Sequence, residues 1–282
     1  SFLKLRPDIA VITSIAPDHL DIYKNKDNLK DAFADFTNRI KSGGTLFIEE
    51  SVDTTIIDRD DIDILKYSTS NITDVSSKNI ISRNEIMHFD VLFKRESVTN
   101  FKLKMGGEYN VANALAAISV SKKLNISNDD IVQSINSFEG IKRRFETHIS
   151  NNKIVFIDDY AHHPEEIEKS ILAVRNMYLD REITVIFQPH LYSRTKDFMD
   201  DFASSLSLSD KLILLEIYAA REQKIDGISS NILLQKCNVK DKKLSTKTEV
   251  LSLIEKNEVD VLLTLGAGDI YTIVEPLKVK LS

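Results

Sequence analysis

The stretch "IVFIDDYAHHPEEIEKSILAVRNMYLDREITVIF", Ile154 to Phe187, holds two short apolar runs on either side of a helical pattern. Ile154–Ile157 and Ile183–Phe187 read as strands buried on both faces. Between them Ile167, Ile171 and Val174 recur at helical spacing, and Pro164 suits the first turn of a helix, so Pro164–Tyr178 reads as the crossover. Strand, helix, strand in this order predicts parallel pairing. Two further apolar runs, Leu212–Ile217 and Val259–Leu265, continue the rhythm, with a helical pattern over Lys196–Leu206. An α/β fold with a mainly parallel sheet is the expectation for residues 147–282.

Upstream the pattern is more mixed. "PDIAVITSI" (Pro7–Ile15) and "TLFIEE" read as strands. Asp27–Lys41 reads as a helix through Leu29, Phe33, Phe36 and Ile40, stopped by Gly43-Gly44. Ser51–Met105 breaks into short alternating strands, expected to pair antiparallel. "GGEYNVANALAAISVSKKL" and "SNDDIVQSINSF" then read as helices. A boundary near Glu146 divides the chain into 1–146, a mixed sheet with helices, and 147–282.

Composition narrows the class. With 282 residues the chain holds one large or two ordinary domains, and 42% hydrophobic with 28% charged residues is a soluble globular balance. No apolar run approaches the ~18 residues of a membrane span, and nothing at the start reads as a signal peptide. A formal net charge of -6 gives no general attraction for nucleic acid. The single Cys237 excludes an internal disulfide and fits a reducing cytoplasm. Oligomeric state is not legible.

In open α/β sheets ligands bind beyond the carboxyl ends of the strands. Here those ends carry Asp158, Asp159, Tyr160, His162 and His163; Gln188, His190, Tyr192 and Arg194; Tyr218, Arg221 and Glu222; and Gly266 to Asp269 in "GAGD". Each cluster alone has a simpler reading. His163 reads as a polar residue flanking Pro164, the two aspartates as helix caps, the arginines as solvated charges and "GAGD" as a tight turn. His19 in "APDHLD" reads as a turn histidine or a metal ligand, and Asn110 and Asn113, three apart on one helix face, as solvent-exposed or capping. Convergence of the clusters favours chemistry. Arginine forks and histidines suit carboxylate and phosphate oxygens, Arg143 and Arg144 adding to them, and Asp159 suits a ribose diol. The residues by themselves point to an enzyme that joins or transfers anionic small molecules, with a nucleotide involved.

Six motifs in order, "SFLKLRPDIAVITSIAPDHLDIY", "GEYNVANALAA", "FEGIKRRFE", "DDYAHHPEE", "FQPHLYSRT" and "LGAGDI", together resemble the Mur ligase family over essentially the whole chain. The resemblance implies residues 1–146 as the remaining part of a central ATP-binding domain and 147–282 as a Rossmann-like C-terminal ligase domain. It implies ATP-dependent joining of L-alanine to UDP-N-acetylmuramate through an acyl phosphate, in peptidoglycan precursor synthesis, with ATP and Mg2+ as cofactors. By the same likeness His19 binds magnesium, Asn110 and Asn113 meet the adenine, Arg144 reaches the nucleotide phosphates, Asp159 holds the ribose and Tyr160 lies beside the adenine. His162, His190 and Arg194 come near the muramate carboxylate and the incoming amine as catalytic and substrate-binding groups, with Tyr218 and Arg221 also on the substrate side.

Two departures qualify the likeness. Leu191 stands where the family often has arginine, which removes one cation. No glycine in the chain is followed by lysine, so G-x-x-x-x-G-K-[ST] is not found in it. The chain therefore reads as a fragment without the UDP-binding domain and the P-loop part of the central domain, inactive alone. The rival expectations are a non-catalytic nucleotide- or amino-acid-binding module, and a related ligase with a different amino-acid or peptide acceptor.

Overall fold

The computed structural model describes residues 2–15, 23, 25–83, 85–94, 96–255 and 258–282. The chain forms two compact units, Ser1–Lys104 with Glu108–Phe138, and Met105–Gly107 with Glu139–Ser282. By packing, residues 139–145 go with the second unit; the boundary near Glu146 rests on sequence rhythm alone.

The first unit runs β1 (Ile9–Ile12), α1 (Lys26–Thr37), β2 (Thr45–Glu49), β3 (Asp63–Ser68), β4 (Val75–Arg83), β5 (Ile86–Phe93), β6 (Glu96–Leu103), α2 (Glu108–Lys123) and α3 (Asn128–Ser137). Its sheet has the order β1-β2-β3-β4-β5-β6, parallel from β1 to β4 and antiparallel from β4 to β6. The expectation of antiparallel pairing throughout Ser51–Met105 is thus corrected at β3, which lies parallel to both neighbours. Alternation alone does not distinguish the two pairings. α1 starts on Asn25, whose side chain accepts the Asn28 amide. It ends at Thr37 rather than Lys41, because the Arg39 and Ile40 amides bond three residues back, to Phe36 and Thr37, and no longer four. Gly44 is needed at the following corner, since a Cβ there would lie 2.7 Å from the Lys41 carbonyl oxygen and 2.8 Å from that of Asp8. Ala10, Ile12, Phe36, Ile40, Leu46 and Ile48 form the core between α1 and the sheet.

The second unit runs β7 (Glu146–Ser150), β8 (Val155–Asp159), α4 (Pro164–Met177), β9 (Ile183–Phe187), α5 (Tyr192–Asp197), α6 (Met199–Leu206), β10 (Lys211–Leu215), α7 (Ser230–Lys236), β11 (Asp241–Ser245), α8 (Lys247–Leu253), β12 (Val261–Leu265), a 3-10 turn over Asp269–Ile273 and α9 (Val274–Leu281). The sheet order is β11-β10-β9-β12-β8-β7, and only β7 is antiparallel to its neighbour. Every residue of β8, β9 and β12 is buried, as a parallel sheet covered on both faces requires. On one face Phe156, Ile186, Leu262, Ile270 and Leu277 pack together, each contributing about 1.5–3 kcal/mol by leaving water. The four expected strands are present, β9 with the same bounds. The edges β7 and β11 were not legible: "DKKLS" is lysine-rich, as exposed edges often are. The helical pattern over Lys196–Leu206 divides at Phe198, which ends α5 and caps α6.

Candidate active site

Register brings the strand ends of the second unit into one row. Leu265 pairs with both Asp159 and Phe187, and Leu214 pairs with Phe187. The next residues are stitched across the gap: the Gly266 amide donates to the Asp159 carbonyl at 3.3 Å and the Gln188 amide to the Leu265 carbonyl at 3.1 Å. The expected clusters therefore share one edge.

Asp158 and Asp159 end β8 with different duties. Asp158, 1% exposed, accepts from Arg143 Nε at 3.1 Å and from Thr264 Oγ1 at 2.6 Å. Arg143 also donates through Nη2 to the Gly266 carbonyl, and its guanidinium lies over the rings of Tyr160 (5.1 Å) and Tyr271 (5.6 Å). Asp159, buried, accepts the Ala161 amide at 3.1 Å through Oδ1 and the Ser170 hydroxyl at 2.7 Å through Oδ2. Arg144 is exposed and also lies over Tyr160, 5.2 Å from the ring centroid. Two guanidinium groups thus face one phenol ring.

A ring ladder continues from Tyr160. Its centroid is 5.1 Å from His162, His162 is 6.2 Å from His190, and His190 stacks on Tyr218 at 5.7 Å. His162 is held from the start of α4, where Glu166 accepts its amide at 3.0 Å and its Nδ1 lies 3.3 Å from Glu166 Oε2. His163 caps α4, with Pro164 in the first turn, and its ring meets Phe198 at 4.7 Å. Pro189 and Leu191 bond to Tyr218 through backbone groups.

Leu191 has φ 71°, in the left-handed region that is rare for a branched side chain. Beyond it Ser193 donates its amide at 3.0 Å and its hydroxyl to Glu222. Burial pushes the His190 imidazole below its ordinary value, helped by Arg194 and His162 and opposed by Glu222. Burial acts to raise the Glu222 carboxyl, but the bonds from Ser193 and Tyr192 and the charge of His190 bring it below its ordinary value. Gln188 spans to the last strand end, giving Nε2 to Asp269 at 2.8 Å and taking the Ile270 amide at 2.8 Å. Lys247 pairs with the same Asp269.

Asp159, Tyr160, His162, His190 and Tyr218 thus share the strand-end edge, as does Arg144 through Tyr160. Arg194 is half-buried and adds its charge to His190. Arg221 is exposed. Asn110 and Asn113 belong to the first unit on α2, Asn110 buried and Asn113 exposed, with Asn113 Nδ2 3.4 Å from Asn110 Oδ1. His19 lies outside the described residues. The fold adds Arg143, which in the sequence is one cation among several, and Glu166 and Lys247. Glu166 had a signal in its four-residue spacing from His162; Lys247 had none, because its partner is 22 residues away.

Comparison with known proteins follows the same division. The profile of the Mur ligase middle domain matches residues 1–121, and that of the Mur ligase glutamate ligase domain matches residues 143–268. The chain belongs to the Mur ligase family. It is 40% identical to the UDP-N-acetylmuramate--L-alanine ligase of Cytophaga hutchinsonii over 99% of this chain and 59% of that protein. It is likewise 40% identical to that of Parabacteroides distasonis, over 99% and 60%. The chain therefore spans about three fifths of the length of these relatives. In fold it is similar to UDP-N-acetylmuramate-alanine ligase MurC from Thermotoga maritima, with a TM-score of 0.77 at 23% identity over 97% of this chain and 59% of that one. MurF ligase from the same organism, solved in complex with ADP, gives 0.74 at 15% over 98% and 62%. No helix among the described residues is long and apolar enough to cross a membrane.

Proposed function

We propose that this chain forms the central and C-terminal parts of a cytoplasmic enzyme that joins L-alanine to UDP-N-acetylmuramate at the expense of ATP, in peptidoglycan precursor synthesis. The observation that carries the reading is the gathering of Asp159, Tyr160, His162, His190 and Arg194 along one strand-end edge in a chain 40% identical to ligases of that name.

In this reading the muramate carboxylate attacks the γ-phosphorus of ATP, giving an acyl phosphate and ADP. The alanine amine then attacks the acyl carbon, loses a proton and expels inorganic phosphate. Such chemistry depends mainly on positioning and charge neutralisation. Asp159, held at the end of β8 by the Ala161 amide and the Ser170 hydroxyl, is assigned to the ribose diol. Arg144, exposed over Tyr160, is free to swing toward nucleotide phosphates, while Arg143 is committed to Asp158. The lowered His190 imidazole is largely neutral at physiological pH, a form able to accept the proton the amine loses. Arg194 supplies positive charge for the carboxylate and the developing oxyanion, His162 lines the same side, and Tyr218 and Arg221 contribute to substrate binding. Asn110 and Asn113 are assigned to the adenine. Mg2+ would neutralise phosphate charge, with His19 assigned to it.

Acceptor identity is tested with this chain joined to a P-loop-bearing segment. UDP-N-acetylmuramate and ATP are held constant, amino acids are supplied one at a time, and phosphate release is followed. L-alanine is expected to give the fastest release. Equal or faster release with glycine or a peptide overturns the assignment of the acceptor.

A further inference from the structure

His148 is the extra residue of a β-bulge. Between β7 and β8 the register steps from Thr147↔Ile157 to Ile149↔Phe156, so His148 faces no partner on β8. A bulge re-aims side chains, and here it turns the imidazole onto the face that carries Glu146, Phe156 and Asp158. The ring meets Phe156 at 5.3 Å. Its Nε2 is buried and has no hydrogen-bond partner. Glu146 Oε2 is 4.0 Å away, too far for a hydrogen bond. One ligand atom from each of Glu146, His148 and Asp158 lies within 4.8 Å of the others.

We propose that Glu146, His148 and Asp158 form a binding site for a divalent transition-metal ion, with Zn2+ as the best chemical fit. One imidazole nitrogen and two carboxylate oxygens suit a borderline-soft ion held at about 2.0–2.2 Å from each donor. The separations require side-chain movements on the order of 1 Å to meet those lengths. Two carboxylates against the Arg143 guanidinium leave the donor set anionic. Both acids keep acceptor capacity: Asp158 bonds to Arg143 and Thr264, and Glu146 Oε2 to the Arg143 amide, yet each carboxylate has about four lone-pair sites. Glu146, with its side chain 32% exposed, gives the ion a way in, while the 1% exposed Asp158 closes the floor. The site shares Asp158 with Arg143, so a bound cation competes with the guanidinium that lies over Tyr160. This proposal does not depend on the ligase reading.

The test is a Zn2+ titration of the purified chain against a chromogenic chelator. One saturable site is expected, weakened by at least about tenfold in His148→Ala and in Glu146→Gln. His162→Ala, which removes the neighbouring ring ladder's histidine, is expected to bind as the parent does. Should His148→Ala fail to fold, Glu146→Gln decides, because that side chain is partly exposed on an edge strand. The proposal is overturned by absence of saturable binding below about 1 mM, by unchanged affinity in either site variant, or by loss of the site in His162→Ala.

Discussion

Arg143 Nε lies 3.1 Å from Asp158 Oδ2, where the carboxylate is 1% exposed and the guanidinium side chain 21% exposed. The pair closes the second unit's sheet at the point where β8 meets β12, since Arg143 also reaches the Gly266 carbonyl. It holds Tyr160 against the neighbouring strand end through its position over the ring.

Removing the guanidinium leaves a buried carboxylate whose remaining partner among the described residues is the Thr264 hydroxyl. Arg143→Ala is expected to destabilise the second unit by about 3 kcal/mol, the scale for breaking a buried pair from one side. Urea unfolding followed by far-UV circular dichroism measures this, and a loss under about 1 kcal/mol contradicts a structural role for the pair.

For Asp159, proposed to hold the ribose diol, the Ala161 amide and the Ser170 hydroxyl orient the carboxylate. Asp159→Asn exchanges a carboxylate for an amide that accepts less strongly and turns one of its two positions into a donor. ADP affinity of the chain, read by calorimetry, is expected to fall about 10-fold or more, the value of a hydrogen bond to a charged group. Unchanged affinity with an intact fold places the ribose elsewhere.

The His190 imidazole sits below the ordinary value of 6.5, chiefly through burial. A histidine lowered in the folded state binds protons more readily when unfolded. Its contribution to stability is therefore whole above about pH 6.5 and is lost as pH falls from there through the folded value. Glu222 opposes the lowering, so Glu222→Gln is expected to carry the His190 titration midpoint further down. Proton NMR of the ring resolves both statements; a midpoint at or above 6.5, or a rise in the variant, contradicts them.

Gly266 has φ 141°, and a Cβ there would lie 2.8 Å from the Gln188 carbonyl oxygen. Gly266→Ala is expected to cost about 2–4 kcal/mol, strain and steric conflict adding. Thermal unfolding reads the loss, and a variant as stable as the parent shows that this corner relaxes freely.

Much of this architecture was legible. Apolar runs bounded by polar turns located β8, β9, β10 and β12, because strands buried on both faces cannot hide among polar neighbours. Pro164 and the spacing of Ile167, Ile171 and Val174 placed α4, because a helix that buries one face repeats its apolar residues at helical spacing. β7 and β11 were not legible, since their exposed edges admit Lys242, Lys243 and Glu146. The residues gathered at the strand ends were foreseen, but their pairings were not. Arg143 with Asp158, Ser193 with Glu222, and Lys247 with Asp269 join residues 15, 29 and 22 positions apart, and periodicity says nothing about such contacts. The backbone of Leu191 was equally hidden, because a leucine at φ 71° breaks the local preference that sequence reading relies on.

ATP-driven amide formation is tested most directly by detecting the product itself. This chain, joined to a P-loop-bearing segment, is incubated with UDP-N-acetylmuramate, L-alanine, Mg2+ and ATP, and the nucleotide sugar is followed by mass spectrometry. The predicted result is conversion to the alanyl amide with one ADP formed per product, absent without ATP and strongly reduced in Asp159→Asn. Product that forms without ATP, or no product with a folded protein and any amino acid, would contradict it.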